Sequence, residues 1–140
     1  MNDLEKMRAW LLSYPKWSGI LYTDYIDATP GNAGLYLQGL QMLEERQDVL
    51  GNREVKNRYT FLLRRTVSGQ EDAAQQAEWL LEFQKWVQEQ SVAGKTPVFG
   101  DVPQKETIRA EKGKLEKASQ VGCGLYVVTV TAQFIKIYEE

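Results

Sequence analysis

The sequence predicts an α+β domain: an antiparallel or mixed β-sheet packed against one long helix and a short N-terminal helix. Two observations carry this. Val55, Asn57, Tyr59, Phe61, Leu63, Arg65 and Val67 alternate with Lys56, Arg58, Thr60, Leu62, Arg64 and Thr66. One side of that run is mostly apolar and the other basic or hydroxylic, as in a strand with one buried face. Directly after it, Ala73, Ala77, Leu80, Phe83 (or Gln84) and Val87 fall on one helical stripe, widened by Trp79, Leu81 and Trp86. A stripe of that width belongs to a helix lying across a sheet with its apolar side inward.

The elements follow in order. Asn2 or Asp3 can cap a first helix whose Leu4, Met7 and Leu11 share a face, widened by Trp10 and Leu12. It closes at Ser13-Tyr14-Pro15, because proline disfavours helical backbone at the residue before it. Residues 20–26 are β-branched and aromatic and predict a strand, followed by a turn at Thr29-Pro30-Gly31-Asn32. From 33 to 46 the leucines suit a helical turn or a strand interrupted by Gly39; extended structure is expected over 40–46. Asp48 to Asn52 turns the chain into the alternating strand at 55–67. Ser68 and Glu71 have the spacing of a capping box, opening a helix from about 70 to 90. That helix is roughly 30 Å long at 1.5 Å per residue. Residues 91–104 hold Gly94, Pro97, Gly100 and Pro103 and read as a loop, with Val98-Phe99 tucked into the core or a neighbour. Strands are expected at 107–116 and 125–138 around a turn at 118–124. In the last strand Tyr126, Val128, Val130, Ala132 and Phe134 alternate with Leu125, Val127, Thr129 and Thr131. Ile135 and Ile137 shift that phase and suggest a bulge.

Length and composition bound the rest. A chain of 140 residues fits a single domain, 1–140, since domains typically run to about 100–150 residues. Both charge signs are spread along it, with a net charge of −2 and no basic block suited to neutralising phosphates. Neither sequence-specific nucleic-acid binding nor membrane association is expected. The opening residues lack the basic start and apolar stretch of a signal peptide, which points to an aqueous, reducing compartment. The single cysteine, Cys123, allows no intrachain disulfide and reads as a small, partly buried side chain between Gly122 and Gly124.

The chain contains no histidine, so neither a Ser-His-Asp nor a Cys-His arrangement can be built, nor acetyltransferase chemistry that needs a catalytic histidine. The acid pairs Glu44-Glu45 and Asp24 with Asp27 read as surface carboxylates unless a pocket gathers them. Gly31-Asn32-Ala33-Gly34 lacks the spacing of a phosphate loop. Gly94-Lys95-Thr96 imitates the end of a Walker A motif, but position 89 is Glu and the segment follows a helix. Arg58, Arg64 and Arg65 interleave with Tyr59 and Phe61, yet Arg65 falls on the opposite strand face from the other two. They read as charges that discourage edge pairing. No enzyme activity, cofactor or metal is expected. Trp79 and Trp86, seven apart on one helix, read as core or interface anchors.

Several segments together resemble a known family: Leu4-x-x-Met7-x-x-Trp10-Leu11-Leu12, the run from Gly19 to Asp27, the aromatic strand from Tyr59 to Val67, the helix from Trp79 to Gln88, Phe99-Gly100-Asp101-Val102-Pro103, and the closing strand. The pattern is similar to the minor capsid, or tail-completion, proteins of tailed phages and prophages of Gram-positive bacteria, and its element order resembles the tail terminator fold. The resemblance spans nearly the whole chain. It implies a structural virion protein, a tail terminator or head–tail joining subunit forming a homo-oligomeric ring, a hexamer in the assembled tail, that meets tail-tube and head-connector proteins. The location implied is the virion, and the bacterial host cytoplasm during assembly. Subunit contacts are then expected at Trp79, Trp86, Val98, Phe99, Val121 and Cys123, with the loops 91–104 and 118–124 ordered by them. The competing expectation is a small-ligand binding domain with a pocket between sheet and long helix, lined by Trp79, Phe83 and Tyr59.

Overall fold

A computed structural model of the chain describes residues 1–68, 73–116 and 123–139. The elements are α1 (Asp3–Leu12), β1 (Leu21–Thr23), β2 (Ala33–Gln47), β3 (Arg53–Ser68), α2 (Ala73–Val92), β4 (Thr107–Glu116) and β5 (Cys123–Tyr138), with a 3-10 turn at Pro103–Lys105 before β4. The fold is α+β: two helices and a five-stranded mixed sheet in the order β1-β2-β3-β5-β4. β1 runs parallel to β2, while the other three pairings are antiparallel.

Local chemistry sets the boundaries. The side chain of Asn2 accepts a hydrogen bond from the Glu5 N–H at 2.8 Å, capping one of the free donors at the start of α1. At the β2–β3 turn the Asp48 carboxylate accepts from the Leu50 and Asn52 N–H groups at 2.9 and 3.0 Å. An aspartate bonded to backbone ahead of it holds a turn closed without help from the rest of the fold. β3 and β5 then pair without a break from Arg53 opposite Tyr138 to Ser68 opposite Cys123.

The alternation of β3 decides where the core sits. Tyr59, Phe61 and Leu63 lie opposite Ala132, Val130 and Val128 of β5, so all six share one sheet face. Phe61, Leu63, Val128 and Val130 are buried in one cluster with Met7 and Leu11 of α1 and Leu80, Phe83 and Val87 of α2. Phe99 joins it from the connection between α2 and β4.

Several expectations change. The strand expected over 20–26 shrinks to Leu21–Thr23, because Asp24 takes a left-handed backbone, φ 54°, that turns the chain out of the sheet. β2 is longer than the expected 40–46. It begins at Ala33 and absorbs Gly39 as an irregularity between Leu37 and Gly39, where the glycine takes φ 150°. Of the stripe expected on α2, Leu80, Phe83 and Val87 are buried as drawn, whereas Ala77 and Leu81 are exposed and Gln76 takes the inward place at the start of the row. α2 also continues to Val92, into the stretch expected to be loop. No bulge interrupts β5 at Ile135 or Ile137 in its pairing with β3; the irregular register lies instead in β4, between Glu111 and Lys114. Cys123 and Gly124 belong to β5, not to a turn, and pair with Ser68 and Val67. The rest of that expected turn, Val121 included, lies outside the described residues. So does Glu71 of the expected capping box, whose Ser68 ends β3.

Candidate interaction surface

Where β1 ends, β2 loses its outer neighbour. β1 pairs only with residues 33–35, and β2 continues through Gln47 with β3 on its other side alone. Residues 37–47 are exposed without interruption. Leu37, Leu40 and Met42 stand opposite Phe61, Tyr59 and Asn57, which puts them on the face that carries the core. They remain uncovered there, Leu40 at 58% and Met42 at 57% exposure. The irregularity at Gly39 keeps Leu37 and Leu40 in phase, since two residues separate them where a regular strand would place one or three. At the tip of the hairpin Val49 is fully exposed and Leu50 nearly so. Burying these side chains would release apolar surface from water, roughly 25 cal/mol per Å².

The other margin of the sheet is occupied differently. The Ser91 hydroxyl accepts from the Ile108 N–H at 3.1 Å, and the Gln84 side chain donates to the Ala110 carbonyl oxygen at 3.1 Å. Two backbone groups of β4 that point away from β5 are therefore held by side chains of α2. Beside them runs a groove of about 650 Å³ between α2 and β4, lined in part by Leu81, Lys85, Val92 and Arg109. Leu81 and Val92 are exposed apolar residues on the helix side of it.

The residues expected at contacts are distributed unevenly. Trp86 packs on Trp10 and Tyr14 with ring centroids 4.8 and 5.1 Å apart, and Trp79 stacks on Phe83 at 5.5 Å. Arg65 lies over the Trp79 ring at 4.5 Å. Both tryptophans thus pack on rings within the chain while staying partly exposed, and Leu81 is exposed on the outward face of α2. Val98 is 45% exposed, while Phe99 is buried against Tyr59 and Phe134. Cys123 lies at the end of the β3–β5 ladder, opposite Ser68. The three residues expected to line a ligand pocket fall into two ring clusters. Phe83 and Trp79 stack together, while Tyr59 belongs with Phe61, Phe99 and Phe134 and donates its hydroxyl to Asp3. Burial, seconded by Asp3, pushes the Tyr59 phenol up to about 12.

The polar groups read as fastenings. Glu44 pairs with Arg46 and Glu45 with Arg53 on the surface, at 2.7 and 3.0 Å. Asp27 accepts from the Thr29 N–H, the Tyr22 hydroxyl and the Asn32 amide. The Thr29 bond leads the causes that hold its carboxyl below the ordinary value. Arg58 binds Gln41 and Arg64 lies over Tyr36, both on the face away from the helices. No group of three or more Cys, Asp or Glu side chains that could hold a metal ion occurs among the described residues, and no helix there is long and apolar enough to cross a membrane. Sequence reading missed the bare stretch of β2. Its signal was the spacing of Leu37, Leu40 and Met42, which resumes alternation only once one residue between Leu37 and Gly39 is counted as inserted. Set beside known proteins, the chain matches no family model and no curated sequence.

Proposed function

We propose that this chain is a structural subunit of virion assembly, a tail terminator or head–tail joining protein that forms a ring and caps the tail tube. In this reading the two helices cover one face of the sheet as a single layer, and the working parts are the surfaces they leave bare. The observation that carries it is the stretch 37–47 of β2, exposed throughout, without a strand on its outer side among the described residues, and bearing Leu37, Leu40, Met42 and Leu43 on its exposed surface. An open strand edge with apolar side chains is a template for pairing with another chain. The resemblance to phage minor capsid proteins supplies the setting: tail-tube and head-connector partners, in the virion and in the host cytoplasm during assembly.

Ring closure needs two different patches on each subunit, joined head to tail. Light scattering after size-exclusion chromatography, over a wide concentration range, tests the reading together with sedimentation against purified tail tubes. The expected result is a mass that rises with concentration toward a closed ring and a subunit that cosediments with tubes. A strict monomer that ignores tail tubes would overturn it.

A further inference from the structure

We infer that copies of this chain join head to tail by laying the open edge of β2, residues 36–47, along the outer edge of β4 in the next copy, beneath α2. The inference rests on the self-assembly part of the proposed function and names the surfaces that perform it.

Strand direction allows it. β3 runs against β2, β5 against β3 and β4 against β5, so β4 runs opposite to β2. A neighbour related by a rotation that continues the sheet therefore presents its β2 antiparallel to β4, without inversion. The same rotation keeps the core-bearing faces on one side. Length agrees, since β4 has ten residues and the bare part of β2 begins directly after the three paired with β1. The incoming strand would take the place that β1 occupies higher on the same edge.

Side chains agree as well. An added strand would turn Leu37, Leu40 and Met42 toward α2, where the groove offers Leu81 and Val92. Antiparallel placement brings the Glu44-Glu45 end of β2 to the Thr107–Arg109 end of β4. The groove there carries Arg109, with Lys85 on α2. Neither of these cations makes an ion pair among the described residues, whereas Glu44 and Glu45 hold only exposed pairs that can be exchanged cheaply. The bonds from Gln84 and Ser91 to β4 then act as placeholders. They satisfy Ala110 and Ile108 in the free subunit and give way to strand backbone in the assembled one. About 33 Å of paired edge, on the order of 1,000 Å² buried in total, lies at the low end of specific interfaces and makes assembly dependent on concentration.

The test uses two full-length variants, Leu40→Asp on β2 and Leu81→Glu on α2, both at exposed positions, with circular dichroism and Tm confirming that each folds. Each variant alone is expected to stay at the monomer mass of 16.1 kDa at concentrations where the unaltered chain associates. Mixed, they should form a one-to-one dimer that grows no further, because each keeps the half-interface the other has lost. Association of Leu81→Glu by itself would overturn the inference in favour of a symmetric β2–β2 contact. Association of Leu40→Asp by itself, no dimer on mixing, or an unaltered chain that stays monomeric would overturn it too. Rings that form through this contact yet ignore tail tubes leave the inference standing and remove the proposed function. Monomers that bind tubes do the reverse.

Discussion

The carboxylate of Glu106 accepts a hydrogen bond from the backbone N–H of Phe99 at 2.8 Å, across the loop between α2 and β4. Its second oxygen takes the Gly100 N–H at 3.1 Å. Beyond them, the Asp101 N–H donates to the Ile135 carbonyl and the Asp101 carboxylate accepts from the Ile137 N–H, at 2.7 and 2.8 Å. The connection between α2 and β4 is thereby fastened to the part of β5 that β4 does not reach, and Phe99 is held in the core.

Glu106→Ala strands two backbone donors and should cost about 3 kcal/mol, the scale of losing bonds to a charged acceptor. Burial holds the Glu106 carboxyl above its ordinary 4.5, so the folded state grips the proton more tightly than the unfolded one. Its contribution is therefore full below pH 4.5 and declines as pH rises through the folded value. Urea titrations of both proteins should show a larger gap at acid pH than at pH 7; a gap that widens with rising pH would contradict the assignment.

Gly100 has no room for a side chain. A Cβ there would lie 2.2 Å from the Ile135 carbonyl oxygen, a backbone atom that cannot swing aside. Gly100→Ala should destabilise by about 2 kcal/mol, as overpacking does. Circular dichroism melts would show a Tm lowered by several degrees with the fold intact.

Phe83 is fully buried between α2 and the sheet and touches Tyr14, Trp79 and Trp86. Phe83→Ala should cost about 3–5 kcal/mol, from lost transfer energy and the cavity left behind. Tryptophan fluorescence should report the loss, because two of the four tryptophans lie against that ring.

Asp27 ties the segment between β1 and β2 to itself, and the Thr66 hydroxyl donates to the Asp27 carbonyl to bind that segment to β3. Its carboxyl is held below the ordinary 3.8, first by the Thr29 N–H, so its contribution is present above that value and is lost as pH falls through the folded one. Asp27→Ala should lower Tm at pH 7, and the difference from the unaltered chain should close in strong acid. Differential scanning calorimetry at several pH values measures it.

Elements whose signals are short-ranged are legible in the amino-acid order alone. The alternation through Tyr59, Phe61 and Leu63 defines a strand face, Asn2 or Asp3 marks the start of α1, and Asp48 to Asn52 marks a turn, because each rests on neighbours a few residues away; the fold then gives the cap to Asn2. The lack of histidine is likewise read from the chain alone, and it means that no Ser-His-Asp arrangement can be made from these residues. Long-range packing, by contrast, settles which residue turns inward at the start of α2. Ala77 and Gln76 compete for the inward position, and packing against the sheet, not hydropathy, buries Gln76. It also decided that Trp79 and Trp86 spend their surface on Phe83, Trp10 and Tyr14, while Leu37, Leu40 and Met42 stay bare. A side chain's pattern states which face it belongs to. Whether anything covers that face depends on how far the helices reach, which is a property of the assembled fold.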